Sequence, residues 1–167
     1  MGTPPFQMKP LEQYLNDHLS GSAGALSLLK ALAASDPQDS AFYLVLREGI
    51  AANRQALLNI MWELGCRRVH SREVLGKAVS KAGQFRLHWH GLSPGKLGLL
   101  EALEVLELGI HGQLMLWSVL REEAASRGAD TGQDFEELTA SAEIQRAQVE
   151  KRRMAAAGKA FAAGRRA

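Results

Sequence analysis

Glu104, Glu107 and His111 are the residues whose types and spacing most directly suggest chemistry. At about 100° per residue the three fall on one narrow face of a helix, and Leu97, Leu100, Leu108 and Met115 fall on the same face. If that stripe is buried, two carboxylates and an imidazole enter a low-dielectric interior, where an unpaired ionised group is costly. Partners are then required: cations from another helix, a shared hydrogen-bond network, or a bound metal ion. Helical bundles hold pairs of iron or manganese ions with a Glu from each of two helices and Glu-x-x-His from the other two. The chain lacks Glu-x-x-His and offers the longer Glu107-x-x-x-His111 instead.

Asp17 and His18 extend the candidate set, because His18 lies between Leu15 and Leu19 on an apolar side. A metal reading thus takes Glu104, Glu107, His111, Asp17 and His18 as ligands, with iron, manganese or zinc as the ion. Against it, Gly49 and Asn53 occupy interior positions where a metal site would place acids, and Gln145 and Arg146 stand in place of a second Glu/His pair. A second reading gives these residues another small-ligand or catalytic use. The reading the residues favour is a structural polar network in which Arg54, Arg146 or Arg152 neutralises the acids and His18 donates to a neighbouring carboxylate or carbonyl.

Other features carry less. His88-Trp89-His90, with His70 nearby, has a spacing metal ligands use but also one that arises by chance. Trp62 and Trp117 read as core or interface residues. Cys66, beside Arg67 and Arg68, is either an incidental cysteine or a thiol activated by positive charge, and no internal disulfide can form. The chain contains no glycine-rich phosphate loop, nucleophile elbow or zinc-type cysteine cluster. No cofactor and no enzyme class follow from these residues.

The elements that must position them are helical. Apolar residues recur at three- and four-residue spacing from Leu11 to Ala33, which predicts a helix over 10–34, closed by Ser35-Asp36-Pro37-Gln38-Asp39. Phe42, Leu46, Ile50, Asn53, Leu57, Ile60 and Leu64 predict a second helix ending at Gly65, antiparallel to the first across the short connection. Ser71 to His90 reads as one short, imperfect helix and a crossing loop. Ser93 and Pro94 open a long helix to about Ala125, and a last helix covers about 134–163. No strand alternation and no fixed-period repeat occur. The expected fold is all-α: an antiparallel four-helix bundle with one short extra helix, its domain over 10–163 between tails 1–9 and 164–167.

A chain that is 46% hydrophobic and 23% charged has enough apolar material for a packed core, which excludes a wholly disordered polymer. Net charge is only +2, but it is blocked. Seven basic residues face one acid over 67–96 and again over 146–167, whereas 99–144 holds ten acids and two arginines. Such blocks predict faces that attract one another within the fold or between copies, so a homo-oligomer is expected. Nucleic-acid binding is not, because no recognition motif or aromatic interleaving accompanies the basic stretches. No run of about 18 apolar residues exists and no leader pattern lies between Met1 and Pro10, so a cytoplasmic protein without membrane spans is expected.

Two strings carry a resemblance. Tyr14-Leu15-Asn16-Asp17-His18-Leu19-Ser20-Gly21 and Leu108-Gly109-Ile110-His111-Gly112-Gln113-Leu114-Met115-Leu116-Trp117 resemble a group of uncharacterised bacterial proteins with a ferritin-like helical bundle. The resemblance spans most of the chain and implies that fold. Relative to that group's pattern, Gly49 and Asn53 replace acids and His111 replaces Glu, which weakens an oxidase reading. The resemblance names no activity, and fold does not fix function. The expectation is a non-enzymatic binding or assembly module, with a degenerate metal-binding protein of redox role as the alternative.

Overall fold

The computed structural model describes residues 9–69 and 95–162, and these form four helices and no strand. Helix α1 spans Pro10–Ser35, α2 Ser40–Glu63, α3 Lys96–Arg127 and α4 Phe135–Phe161. The boundaries follow local chemistry. Pro10 opens α1 at a position where a missing N–H costs nothing, and Glu12 accepts from the backbone N–H of Lys9 at 3.4 Å. Gly65 and Gly128 take positive φ just beyond the ends of α2 and α3, the left-handed conformation that closes a helix at little cost to glycine. Asp134 caps α4 by accepting from the N–H groups of Glu136 and Glu137 at 2.9 and 3.0 Å. The sequence boundaries of the four long helices hold to within a few residues. The short extra helix and the histidines at 70, 88 and 90 lie outside the described residues.

Helix α1 packs on α2 and α3 packs on α4, and the two pairs meet through α1 against α3 and α2 against α4. One core fills the space between them, with Leu15, Leu29, Leu32, Ile60, Leu120 and Val149 fully excluded from water. The α1/α2 pair is pinned at both ends. The Tyr43 hydroxyl donates to Asp36 at 3.2 Å at one end, while Asn16 bonds the segment after α2 at the other. Arg152 of α4 stacks on the Phe42 ring at 3.3 Å and reaches Asp39 at 3.5 Å, tying α4 to the start of α2.

One face expectation is overturned. On α3 the buried residues include Leu103, Leu106, Ile110, Trp117 and Leu120, roughly half a turn from Glu104. The stripe read as interior is the outer one: Leu97, Leu108 and Met115 are 53%, 66% and 54% exposed, and only Leu100 of that set is buried. Trp117 enters the core, whereas Trp62 stays outside it at 81% exposure.

Gly49 and Asn53, where acids would be expected in a metal-binding bundle, serve an amide pair. Asn53 donates to the Gln145 side chain at 3.4 Å across α2 and α4, both residues buried. A Cβ on Gly49 would stand 2.7 Å from the Gln145 amide nitrogen, so glycine makes the room that Gln145 occupies. Gly49→Ala gains about 1 kcal/mol of helix propensity but pushes a buried amide off its partner, and a net loss of about 1 kcal/mol is expected. Urea denaturation in wild-type and Gln145→Ala backgrounds checks this, since with the amide gone the same substitution should stabilise.

Candidate functional site

The five residues read as metal ligands are placed in three different settings. Glu107 of α3 is held by Arg146 of α4, Nε to Oε1 at 2.5 Å, which is the neutralisation the polar-network reading anticipates. Glu104 meets Arg153 of α4 at 3.3 Å, and Arg153 is shared with Glu150 at 2.6 Å. That bond keeps the Glu150 carboxyl below the usual range. His111 and Asp17 are exposed. Among the described residues no group of three or more His, Cys, Asp or Glu side chains is placed to hold a metal ion. Glu104 and Glu107 therefore serve the α3/α4 contact, where the acidic block of α3 meets the basic block of α4.

His18 goes elsewhere. It packs edge-on against the Tyr14 ring, centroids 4.7 Å apart, and faces a cavity of about 80 Å³ between α1, α2 and α3. The polar wall of that cavity is His18, Asn53, Arg54, Gln113 and Trp117, and apolar side chains that include Leu57, Leu106, Ile110 and Leu116 complete it. Gly21 and Gly109 lie on its lining, and a Cβ built on either meets no described residue within 4 Å. Gly109 shares the core-facing side of α3 with Leu116 and Leu120 yet remains exposed, because the space before it is open.

Two groups on this wall are incompletely satisfied. Trp117 is 1% exposed, and its indole Nε1–H, itself shut off from solvent, has no hydrogen-bond partner among the described residues. A buried donor left unpaired costs about 1–3 kcal/mol, so native structures rarely keep one without reason. Arg54, half-buried, donates through Nη1 to the Leu19 carbonyl and to Ser22 Oγ, the second at 2.6 Å. Both acceptors are neutral, and among the described residues no carboxylate lies within ion-pair distance of Arg54. Burial and the nearby charge of Arg68 push the Arg54 pKa down.

Burial holds the His18 imidazole below its ordinary range, with Asp17 pulling weakly the other way. The sign for stability follows from proton counting. Below about pH 6.5 the unfolded chain takes up a proton that the folded chain resists, so stability is lost as pH falls through the unfolded pKa toward the folded one. Denaturation midpoints measured between pH 7.5 and 5 should fall on acidification, and His18→Gln should flatten that slope. The Glu12 carboxyl, held low chiefly by the N–H of Arg67, contributes a separate loss at lower pH.

Cys66 is half-buried, and burial pushes its thiol up with Glu12 acting in the same sense, against the smaller pull of Arg127 and Lys9. The thiol is not activated by its neighbouring arginines. Among the described residues no helix is long and apolar enough to cross a membrane.

Arg54 and His18 were legible as interior polar groups, although the acids they were expected to meet lie on the far side of α3. Gln113, Trp117 and Gly109 were missed as site residues. Their signal was a glutamine and a glycine on the same side of α3 as Leu106 and Leu120, visible once the correct face is taken. No family model, no curated protein and no solved structure matches the chain.

Proposed function

We propose that this chain is a non-enzymatic, ferritin-like four-helix bundle that works as a binding module, taking a small molecule into the cavity between α1, α2 and α3. The antiparallel arrangement is supported by partner pairs that run in opposite order along neighbouring helices. Glu104 meets Arg153 while Glu107 meets Arg146, Asp39 meets Arg152 while Asn53 meets Gln145, and Asp36 meets Tyr43 while Asn16 meets the Arg67 carbonyl. The single observation that carries the binding reading is a half-buried guanidinium that, among the described residues, has no carboxylate beside it and lines a cavity with the Gln113 amide and several aliphatic side chains. A ligand that binds the folded state alone raises its melting temperature. Thermal melts with a panel of small acids, amides, alcohols and amines should find compounds that stabilise the wild type but not Gly109→Leu, whose side chain would fill the space. A panel in which every compound acts equally on both proteins contradicts the reading.

Self-association is a second reading, favoured by Leu97, Leu108, Met115 and Val119, which stand exposed along one side of α3 with no described element over them. A second copy packing α3 against α3 would cover that row. Light scattering behind size exclusion should show a dimer that Leu108→Glu with Met115→Glu dissociates, and a wild-type monomer at both low and high salt contradicts it.

A further inference from the structure

The cavity wall also narrows the class of ligand, an inference that rests on the binding reading above. Its donors outnumber its acceptors. Among the described residues the Nε and Nη2 of Arg54 donate to no acceptor. Gln113 makes no hydrogen bond to another described residue, so its amide is available as well. Nothing acidic lines the cavity. The remaining surface near these groups is aliphatic, from Leu57, Leu106, Ile110 and Leu116.

A positive charge on a donor-rich, acid-free wall is satisfied by an anion, and a planar carboxylate accepts two parallel bonds from a guanidinium. The aliphatic surface asks for an apolar body behind that head, which sets inorganic anions aside. A volume of about 80 Å³ restricts the body to a few carbons. We infer that the cavity between α1, α2 and α3 takes a short-chain carboxylate, its head against Arg54 and its alkyl part against the leucines and Ile110.

Isobutyrate and its neutral isostere isobutyramide separate the possibilities, titrated at pH 7 into the full chain and followed by calorimetry and by the Trp117 indole resonance. Isobutyrate should bind at least about tenfold more tightly than isobutyramide, since a charge-assisted pair is roughly twice as strong as a neutral one. Arg54→Gln should erase that preference, and Gly109→Leu, which leaves Arg54 and its two acceptors in place, should abolish binding of both. Equal binding of acid and amide to the wild type, lost in Gly109→Leu, would overturn the carboxylate inference while leaving the binding module standing. Binding of neither probe would overturn the inference as well, and the wider panel then decides whether the cavity binds anything. Tight isobutyrate binding unchanged in Gly109→Leu would place the acid elsewhere and reject the site.

Discussion

Trp117→Phe is expected to leave stability within about 1 kcal/mol of wild type, whereas Trp117→Ala should lower it by about 3–5 kcal/mol. The difference separates the two roles of one side chain. Trp117 is 1% exposed among core residues of α3, so truncation to alanine removes a large apolar body and leaves a cavity. Phenylalanine loses only part of that body, and it also removes an N–H that sits buried with no acceptor, a penalty of about 1–3 kcal/mol in the wild type. The two effects oppose and nearly cancel. Urea denaturation of the three proteins reads the result. A loss near 3 kcal/mol for phenylalanine would mean that the indole N–H is well bonded in the native protein.

Asn16→Ala should cost about 2–4 kcal/mol, more than a typical surface polar residue, because the amide is a junction. Asn16 is 2% exposed in the second turn of α1. Its Nδ2 donates to the Glu12 carbonyl at 2.7 Å and to the Arg67 carbonyl at 2.9 Å, and its Oδ1 accepts from the Val69 N–H at 2.8 Å. Glu12, also buried, accepts from the Arg67 N–H at 3.2 Å. Together the two side chains hold residues 67–69 against α1 at the point where the chain leaves α2. Alanine removes all of Asn16's bonds at once. Asn16→Asp retains an acceptor for Val69 but loses both donations and sets a second negative charge beside Glu12, so it should be no better tolerated. Hydrogen exchange should localise the effect, with faster exchange at Val69 in either variant while the amides of α3 and α4 remain protected. A change below about 0.5 kcal/mol would show that the segment is held by other contacts.

The four long helices were readable because their ends are marked by residues with local reasons to stop a helix. Pro37 after α1, Gly65 after α2, Gly128 after α3 and the Asp134 cap of α4 act through backbone geometry within a few residues, and no tertiary knowledge is needed to interpret them. The buried side of α3 was not readable in the same way. Leucines at 97, 99, 100, 103, 106, 108, 114 and 116 surround the helix, so periodicity does not select one side, and the acids then appeared to enter the core. The orientation shows only against the neighbouring helices, where Leu103, Leu106, Ile110 and Trp117 enter the shared core while Glu107 and Glu104 lie at the flank of α3, paired with Arg146 and Arg153 of α4. Those ion pairs join residues 39 and 49 positions apart, and no short window along the chain contains them. The amide pair of Asn53 and Gln145 shows the same limit from the other side. The absence of acids at 49 and 53 was legible, while the fit of Gln145 over Gly49 became visible only with α2 and α4 side by side.

The most direct test of the central claim is the indole N–H region of a proton–nitrogen correlation spectrum, where the three tryptophans give three signals and Trp117→Phe identifies one of them. If the cavity is a binding site, adding a molecule that raises the melting temperature should move the Trp117 signal saturably and leave that of the exposed Trp62 in place. The same titration on Gly109→Leu should leave the Trp117 signal unmoved. A stabilising molecule that leaves the Trp117 signal unmoved would contradict the account, since Trp117 lines the cavity and its ring would sense any molecule bound there.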